Sequence, residues 1–480
     1  MDQSRFFIGG EWASPHSDET VAVTSASTSE GVGRYPLATR EDADRAVGAA
    51  RRAFDDPNGW ASWAPDERAD ALDRFARELR ARGKDSAHLV SVQNGMPISV
   101  AMQVEAEFPA LMLEYYAGLI RRTAEEIDQP SLMGGSTKVR FEPLGVVAAI
   151  VPWNFPQALG AQKFAAALAA GCTVVLKPSA ETALDSYLVA DAAMAAGLPP
   201  GVFNILPADR GVGMDLVEHP GVDKVAFTGS TRAGREIGAA CGRLIRPATL
   251  ELGGRSAAIF LDDVDLDLAK IGEALFGAML LNNGQTCFLS TRILAPRSRY
   301  DDVVEAVAAL AESLTVGDAL DPATQIGPLA TQAHRARVEQ YIDLGRTEGG
   351  RVVAGGGRPQ GLGDGWFVEP TVFADVDNTW RIAQDDIFGP ILTITPYDNE
   401  PDAIRNANDS LYGLAGSVWS QDRERANAVA RQMKTGSVGI NGYLPDLAAP
   451  FGGVKASGLG RELGEEGLRS YQYTKSIYQF

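Results

Sequence analysis

The feature that most constrains the fold is an alternation of short apolar runs with helical segments in the first half of the chain. The runs GVVAAIVP (145–152), CTVVLKP (172–178), VFNILP (202–207) and VDKVAFTG (222–229) are β-branched and almost continuously apolar. Segments with helical spacing, such as TALDSYLVADAAMAAG (182–197), separate them. Apolar strands with helical crossovers predict a parallel sheet that is covered by helices on both faces.

The second half of the chain shows a similar alternation. It begins near SAAIFLDD (256–263) and continues through DDVVEAVAALAESL (301–314) and GSVGING (436–442). A chain of 480 residues exceeds what one hydrophobic core usually serves, so more than one structural unit is expected. The Gly-rich stretch AGGGRPQGLGDGW (354–366) is predicted to be a surface turn between units.

Charge excludes two classes of partner. Lys plus Arg number 44 and Asp plus Glu number 62, which gives a net charge of −18. An acidic surface of this size repels phosphate backbones and anionic lipid headgroups. We therefore expect neither nucleic acid nor a membrane as partner. Apolar residues at 45% and charged residues at 22% are ordinary for a soluble globular protein.

The cysteines and histidines indicate a reduced protein without a metal. Three scattered cysteines, Cys172, Cys241 and Cys287, are too few for a disulfide framework. The four histidines show no zinc-ligand spacing. The N-terminus lacks a basic segment followed by an apolar one, and the apolar runs fall short of the ~20 residues that a membrane span needs. These patterns predict a cytoplasmic location.

The stretch MLLNNGQTCFLS (279–290) sets Cys287 just after a glycine-containing break. A cysteine is commonly a small buried hydrophobic residue, and we interpret Cys172 and Cys241 in that way. The break predicts that Cys287 begins or interrupts a helix, where backbone N–H groups favour the thiolate. The thiolate is the nucleophilic form of cysteine.

A nucleotide site is indicated by several strand ends taken together. No G-x-G-x-x-G follows a strand, and FTGSTRAG, with Gly229 and Gly234, is by itself more typical of a helix N-cap. PWNFP (152–156), LKPSAET (176–182) and ELGG (251–254) also end predicted strands. Because ligands of open α/β sheets bind at the carboxyl ends of the strands, these segments are expected to meet in one crevice.

These motifs, followed by NNGQTC, DIFGP (386–390) and PFGGVKASGLGRE (450–462), occur in an order that resembles the aldehyde dehydrogenase superfamily over nearly the whole chain. The branch they resemble is the NAD(P)-dependent, aldehyde-oxidising one. The resemblance implies an α/β fold with two Rossmann-like parallel-sheet domains and a small β oligomerisation arm. The implied parts are a cofactor-binding domain (1–124 and 143–250), a catalytic domain (251–455), and the arm with the C-terminal segment (125–142 and 456–480).

The resemblance also implies a reaction. Cys287 attacks the aldehyde, while the Asn154 amide and the Cys287 backbone N–H hold the oxyanion. Hydride leaves to the nicotinamide, and Glu251 activates the water that hydrolyses the thioester. Partial burial of Glu251 would raise its pKa toward neutrality, as a general base requires. Lys163 is expected to support the oxyanion site, and Glu462 to relay protons.

Each of these residues has a structural alternative. Without the resemblance, Asn154 is more typical of a helix cap and Glu251 of a charge at a strand end. Lys163 and Lys177 would ordinarily be solvated, and Phe388 would ordinarily belong to the core.

The resemblance assigns a larger set of residues to the cofactor. Lys177 is expected near the adenine-side ribose, and Phe388 near the nicotinamide. The full set is Pro152, Trp153, Lys177, Ser179, Ala180, Gly229, Ser230, Gly234, Leu252, Asp386 and Phe388.

Three positions depart from the family pattern. Ala180 stands where relatives carry a ribose-binding glutamate, with Glu181 displaced by one residue. NAD is the expected cofactor, and NADP is compatible because that glutamate is absent. Asp386 replaces the usual glutamate, so its hydrogen bond to the ribose is expected to be longer or water-mediated. Arg255 replaces a lysine and keeps the charge.

The resemblance also implies which residues line the aldehyde tunnel. None of them is a lysine or arginine, which argues against a carboxylate-bearing semialdehyde. Gln162 stands where many relatives carry a bulky aromatic residue, so a wider or more polar tunnel is expected. We expect a mid-sized neutral aliphatic or aromatic aldehyde. The tunnel residues are Phe155, Ala158, Leu159, Gln162, Thr286, Phe288 and Tyr443.

The segments STKVRFEPLG (136–145) and YQYTKSIYQF (471–480) look like arms that pair between subunits, so a homodimer or homotetramer is expected. Their alternating pattern is equally compatible with a local hairpin. Two other functions stay open. The first is a relative that passes the thioester to coenzyme A, against which Glu251 argues. The second is a non-catalytic binding protein, against which Asn154, Glu251 and Cys287 together argue.

Overall fold

The computed structural model describes residues 1–480. The strands, in chain order, are β1 (Phe6–Ile8), β2 (Glu11–Ala13), β3 (Thr20–Thr24), β4 (Gly31–Pro36), β5 (Glu126–Pro130), β6 (Ser136–Pro143), β7 (Val146–Ile150), β8 (Thr173–Lys177), β9 (Phe203–Ile205), β10 (Lys224–Thr228), β11 (Ala248–Glu251), β12 (Ala257–Phe260), β13 (Arg292–Pro296), β14 (Arg351–Ala354), β15 (Thr371–Ala374), β16 (Ile391–Tyr397), β17 (Gly416–Trp419), β18 (Gly439–Ile440), β19 (Gly458–Leu459) and β20 (Gln472–Gln479).

The α-helices lie between and around these strands. They are α1 (Arg40–Asp55), α2 (Pro65–Ala81), α3 (Gly83–Asn94), α4 (Ile98–Val104), α5 (Phe108–Arg122), α6 (Pro156–Ala169), α7 (Ser186–Ala195), α8 (Arg210–Glu218), α9 (Thr231–Leu244), α10 (Leu268–Met279), α11 (Tyr300–Ser313), α12 (Gln332–Glu348), α13 (Arg381–Gln384), α14 (Glu400–Asn408), α15 (Arg423–Ala430) and α16 (Gly464–Arg469). None of these helices is both long enough and apolar enough to cross a bilayer.

The first sheet has eight strands in the order β19-β11-β10-β7-β8-β9-β1-β2. Its five central strands are parallel, and antiparallel partners flank them on both sides. Strands β7, β8 and β10 are buried along their whole length. Helix α6 is buried at every position, because it packs between this sheet and helices α2 and α5.

A seven-stranded sheet follows, in the order β14-β15-β16-β13-β12-β17-β18, and it is parallel except for β14. The Gly-rich stretch 354–366 lies between β14 and β15, which are antiparallel neighbours in this one sheet. The prediction of a turn between units was therefore wrong. Glycine and proline mark a change of direction, and they do so equally within a sheet and between domains.

A third sheet has the order β20-β6-β5. Strand β6 pairs with β5 as a local hairpin and with β20 of the same chain over eight residue pairs. The local hairpin is thus present, and pairing between subunits stays a prediction. The predicted fold class, with two parallel-sheet systems and a small separate sheet, is confirmed.

The topology brings four strand ends to one edge of the first sheet. The last residues of β7 and β8, Ile150 and Lys177, pair with each other, and Thr228 at the end of β10 pairs with Glu251 at the end of β11. The segments that follow these strands therefore emerge side by side, as expected for a ligand crevice in an open α/β sheet.

Candidate active site

Cys287 lies in a turn that follows a tightly wound reversal of the chain. After α10, Asn282 and Asn283 have φ angles of 52° and 61°, and Gly284 has a φ of 74°. Burial, followed by the charge of Glu251, raises the pKa of the Cys287 thiol to about 12. The expectation of a helix start was wrong, because the residue lies in a turn. Backbone N–H groups of Cys287 and Phe288 do favour the thiolate, as expected, but burial outweighs them.

Hydrogen bonds hold this left-handed turn in place. The Asn282 side chain donates to the backbone carbonyl of Asn154 at 3.0 Å. The Asn283 side chain donates to the carbonyls of Gly95 and Pro328, both at 2.8 Å. Asparagine tolerates the left-handed region better than most residues. The turn before the cysteine is thus fixed from both sides.

Asn154 links the two sheets at the cysteine. It lies between β7 and α6 and is 3% exposed. Its amide nitrogen donates to the carbonyl of Gln285 at 3.0 Å, and its own backbone carbonyl accepts from Asn94 and Asn282. A primary amide has two N–H donors, so one N–H stays available beside Cys287.

Glu251 is a buried carboxyl without hydrogen bonds. It ends β11, is 4% exposed, and neither side-chain oxygen has a hydrogen-bond partner. Burial, reinforced by the neighbouring Glu462, raises the pKa of Glu251 well above its ordinary value. A carboxyl of this kind holds a proton more tightly than a solvated one, which is the property of a general base that works near neutral pH.

Lys163 and Glu462 form a completely buried ion pair. The Lys163 Nζ lies 2.6 Å from Glu462 Oε1 and also donates to the hydroxyl of Thr228 at 2.6 Å. The Lys163 ammonium group therefore contacts Glu462 and Thr228, and it makes no hydrogen bond to Asn154. Glu462 in turn raises the pKa of Glu251 through its charge.

Two adjoining cavities of about 370 Å³ and 580 Å³ form one groove along the strand ends. Lys177, Ser179 and Ala180 line one end, and Cys287 lies at the other. Nearly all of the predicted cofactor residues line the groove. Gly234 is the exception: a Cβ there would come within 2.4 Å of the Leu252 side chain, so Gly234 lies beneath a lining residue. The predicted residues along the groove are Pro152, Trp153, Lys177, Ser179, Ala180, Gly229, Ser230, Leu252, Asp386 and Phe388.

Asp386 and Phe388 shape the groove near the cysteine. The Asp386 carboxylate makes no hydrogen bond within the protein, and burial raises its pKa to about 6. A Cβ on Gly253 would come within 2.0 Å of this carboxylate, which explains the glycine in E-L-G-G. Phe388 has a φ of 62°, and its carbonyl lies 2.7 Å from His334 Nε2. Burial lowers the pKa of His334 to about 4, so the ring is neutral.

The far end of the groove carries mixed charge. Burial lowers the pKa of Lys177 to about 8. The Glu181 carboxylate accepts a hydrogen bond from the Ser179 hydroxyl, and Tyr35 donates to the Ala180 carbonyl at 3.1 Å. An amine and a hydroxyl at one end, with an unpaired carboxylate and aromatic rings at the other, fit a dinucleotide with hydroxyl-bearing riboses.

The predicted tunnel residues fall into two groups. Phe155, Ala158 and Leu159 are buried in an apolar cluster, against which Leu281 packs. Thr286 donates to the carbonyl of Leu281 at 3.1 Å.

The second group, Phe288, Tyr443 and Gln162, lies outside that apolar cluster. The ring of Phe288 is 4.9 Å from that of Tyr443, whose hydroxyl is 2.6 Å from Ser437 Oγ. Tyr443 also lines a separate cavity of about 770 Å³. Gln162, on α6, is 7% exposed, and its side-chain oxygen has no hydrogen-bond partner.

Several groove residues on α12 were not predicted from the sequence. His334, Arg337 and Tyr341 line the groove on one face of this helix. Their spacing of three and four residues was the available signal. Thr228, Arg232, Asp385 and Tyr412 also line the groove, and single polar residues of this kind carry no pattern.

A thiol, an amide donor and a buried carboxyl at the end of a dinucleotide-sized groove define an oxidoreductase site with a cysteine nucleophile. The sequence model of the aldehyde dehydrogenase family matches residues 12–477. This chain therefore belongs to the aldehyde dehydrogenase family. It is an NAD(P)-dependent enzyme that oxidises an aldehyde to the carboxylic acid.

Curated relatives and solved structures are similar to this chain over nearly its full length. Geranial dehydrogenase from Castellaniella defragrans is 56% identical over 478 residues, covering 100% of this chain and 99% of that protein. The Mycobacterium tuberculosis aldehyde dehydrogenase complexed with NAD+ is 44% identical with a TM-score of 0.97, and the match covers 100% and 99% of the two chains. A mutant of aldehyde dehydrogenase C from Pseudomonas syringae, complexed with NAD+ and octanal, is 38% identical with a TM-score of 0.95, covering 99% and 96%.

Proposed function

We propose that Cys287 is the nucleophile of this reaction, assisted by Asn154 and Glu251. The observation that carries the proposal is that Asn154 and Cys287 line the same end of the groove, while the buried Glu251 raises the pKa of the Cys287 thiol. The sulfur adds to the aldehyde carbon, and the resulting oxyanion accepts hydrogen bonds from the free Asn154 N–H and the Cys287 backbone N–H. A bound nicotinamide supplies the hydride acceptor.

Glu251 is the proposed base for both proton transfers. The thiol is protonated at neutral pH because burial raises its pKa, so its proton must leave as the C–S bond forms. After the hydride has gone, the acyl group is a thioester on Cys287. Glu251 then takes a proton from water, water oxygen attacks the acyl carbon, and the C–S bond breaks to give the acid and the thiol.

NAD is the proposed cofactor, and NADP the proposed second cofactor. Lys177 would hold the adenine-side ribose, and the unpaired carboxylate of Asp386 would accept from the ribose hydroxyls next to the nicotinamide. Ala180 supplies no carboxylate to repel a 2′-phosphate, and the displaced Glu181 is already engaged by Ser179. Ala180→Glu is expected to lower kcat/KM with NADP more than with NAD.

The proposed substrate class is a neutral, apolar aldehyde with a chain of medium length, such as geranial. The apolar cluster of Phe155 and Leu159 and the rings of Phe288 and Tyr443 support this class. The 56% identity to a protein named geranial dehydrogenase points in the same direction.

We also propose a cytoplasmic homodimer or homotetramer assembled through the three-stranded sheet. Leu132 and Phe480 are 100% exposed and Met133 is 87% exposed at one end of this sheet. Clustered apolar side chains in water are typical of a protein interface. Light scattering on the purified protein measures the assembly directly, and a monomer at micromolar concentration would refute it.

A panel of aldehydes tests the proposed function. Geranial, octanal, benzaldehyde and succinic semialdehyde would each be assayed with NAD and with NADP, with and without coenzyme A. We expect the highest kcat/KM for geranial or octanal and a carboxylic acid product whether or not coenzyme A is present. An acyl-coenzyme A product would favour the alternative reaction, and equal activity of Cys287→Ala would refute the nucleophile.

A further inference from the structure

Behind Glu462 lies a cluster of buried polar atoms that the reaction described above does not use. Glu462 Oε1 binds Lys163, but Glu462 Oε2 has no partner. The hydroxyls of Tyr116 and Tyr471 also have no partner, although both side chains are 0% exposed. Buried polar groups are nearly always hydrogen-bonded, so three unpaired oxygens in one region need an explanation.

The Tyr116 hydroxyl lies close to Glu462 although the two residues are distant in sequence. A Cβ added to Gly467 would lie 2.5 Å from the Tyr116 hydroxyl and 3.6 Å from the Glu462 Cα. Burial and then the charge of Glu462 raise the pKa of both Tyr116 and Tyr471, and each tyrosine is close enough to matter to this carboxylate. Both hydroxyls are therefore protonated donors.

Lys224 extends the cluster toward the surface. Its Nζ lies 4.8 Å from the centroid of the Tyr471 ring and donates to the Thr249 hydroxyl at 2.8 Å. Burial lowers the pKa of Lys224 to about 8. A Cβ on Gly460 would lie 3.4 Å from Thr249 Oγ1, and Gly460 is solvent-exposed. The cluster thus reaches from Glu462 to just beneath an exposed loop.

The reaction requires a route for protons. Formation of the thioester from thiol and aldehyde, with hydride transfer to NAD+, releases one proton. Hydrolysis gives a carboxylic acid that ionises and releases a second proton. Glu251 takes the first of these protons from the thiol and is buried without hydrogen bonds, so it must pass that proton onward before it can accept one from water. The second proton leaves with the product acid.

We propose that Tyr116, Tyr471 and Lys224 form the outer half of a proton path that starts at Glu251 and Glu462 and ends beside Thr249. Ordered water bridges the unpaired oxygens, since a polar buried site with several partners is the kind that holds water. The proposal rests on the role of Glu251 as base. The tyrosines and the lysine act through Glu462 and touch neither aldehyde nor cofactor, so they are positioning residues.

The other titratable groups around Glu462 do not provide this route. Lys163 is held by Glu462 and Thr228. Cys172 donates to the backbone carbonyl of Tyr471, and burial raises its pKa to about 11, so it stays a thiol. The guanidinium of Arg461, on the Glu251 side, donates to the carbonyls of Gly453 and Gly460.

The variants Tyr471→Phe, Tyr116→Phe and the double variant test the path, because each removes one hydroxyl and keeps the ring. Tyr187→Phe is the matched control: Tyr187 is 5% exposed, its hydroxyl is also unpaired, and it stacks on Trp12 away from Glu462. Two rates are measured with octanal and NAD+: NADH formation in a single turnover, and steady-state kcat from pH 6 to pH 9.

We expect single-turnover NADH formation within about twofold of wild type, with kcat lowered about tenfold or more at pH 7 in the double variant. The deficit should shrink toward pH 9, where solvent removes the proton more readily, and KM should stay unchanged. Loss of single-turnover activity, an unchanged pH profile, or a kcat equal to that of Tyr187→Phe would overturn the path. Absence of aldehyde-dependent NADH formation in the wild type would instead refute the proposed function.

Discussion

Asn154→Ala removes one of the two proposed oxyanion donors while leaving the backbone fixed. The Asn154 carbonyl is held by Asn94 and Asn282, and neither contact involves the Asn154 side chain. Loss of one such donor typically costs ~10²–10³-fold in kcat, or about 2.7–4 kcal/mol of transition-state stabilisation. The lost hydrogen bond to the Gln285 carbonyl should lower the free energy of unfolding by about 0.5–1.5 kcal/mol.

Steady-state kinetics with saturating NAD+ and thermal unfolding separate these two effects. Asn204→Ala is the control, because Asn204 is 0% exposed on β9 and its side chain makes three hydrogen bonds, to Gly9, Val174 and Gly201, away from the groove. We expect this control to lose stability and to keep kcat. If Asn154→Ala kept kcat within threefold of wild type, the oxyanion would have to be held by another group.

Three further substitutions have expected outcomes. Asn94→Ala should lower kcat about tenfold with KM unchanged, because the Asn154 backbone carbonyl loses one of the two hydrogen bonds that hold it in place. Burial raises the pKa of Glu105 to about 8, so the stability that its proton confers is fully present below pH ~4.5 and is lost as pH rises through 8. Glu105→Gln should therefore raise the free energy of unfolding at pH 9 but not at pH 5, by an amount on the order of a few kcal/mol; equal changes at both values would contradict this. Gln162→Met should raise the free energy of unfolding by about 1–3 kcal/mol, measured in urea, since the Gln162 oxygen is unpaired.

The local pattern of apolar residues in the sequence was sufficient to predict the fold class. The runs that predicted strands in the first half are β7, β8, β9 and β10, and the helix predicted after Lys177 is α7. Parallel strands that are buried on both faces must be continuously apolar, so the sequence carries their signature directly. The stretch 354–366 misled, because its glycines report a turn and not which elements the turn connects.

The candidate site was predictable where it followed motifs. Asn154, Glu251 and Cys287 were singled out by their neighbours in sequence. In the structure Asn154 and Cys287 line one groove end, and the charge of Glu251 raises the pKa of Cys287. The raised pKa of Cys287 was not predictable, because burial by distant segments is its largest cause.

The polar cluster behind the site was hidden for a related reason. Lys163 and Glu462 are separated by 299 positions and meet only through the fold. Tyr116, Lys224 and Tyr471 are single residues on three different segments. No spacing in the sequence connects them.

Intact-mass analysis of Glu251→Gln after mixing with octanal and NAD+ tests the central claim most directly. Cys287 is proposed to carry the acyl group and Glu251 to release it. We expect acylation to be slowed, because Glu251 also takes the thiol proton, and hydrolysis to be lost, so that about one octanoyl adduct per chain accumulates on extended incubation. Peptide mapping should assign the adduct to Cys287, and the Glu251→Gln, Cys287→Ser double variant should carry none. An unmodified Glu251→Gln protein that turns over at the wild-type rate, or an adduct on another residue, would contradict this claim.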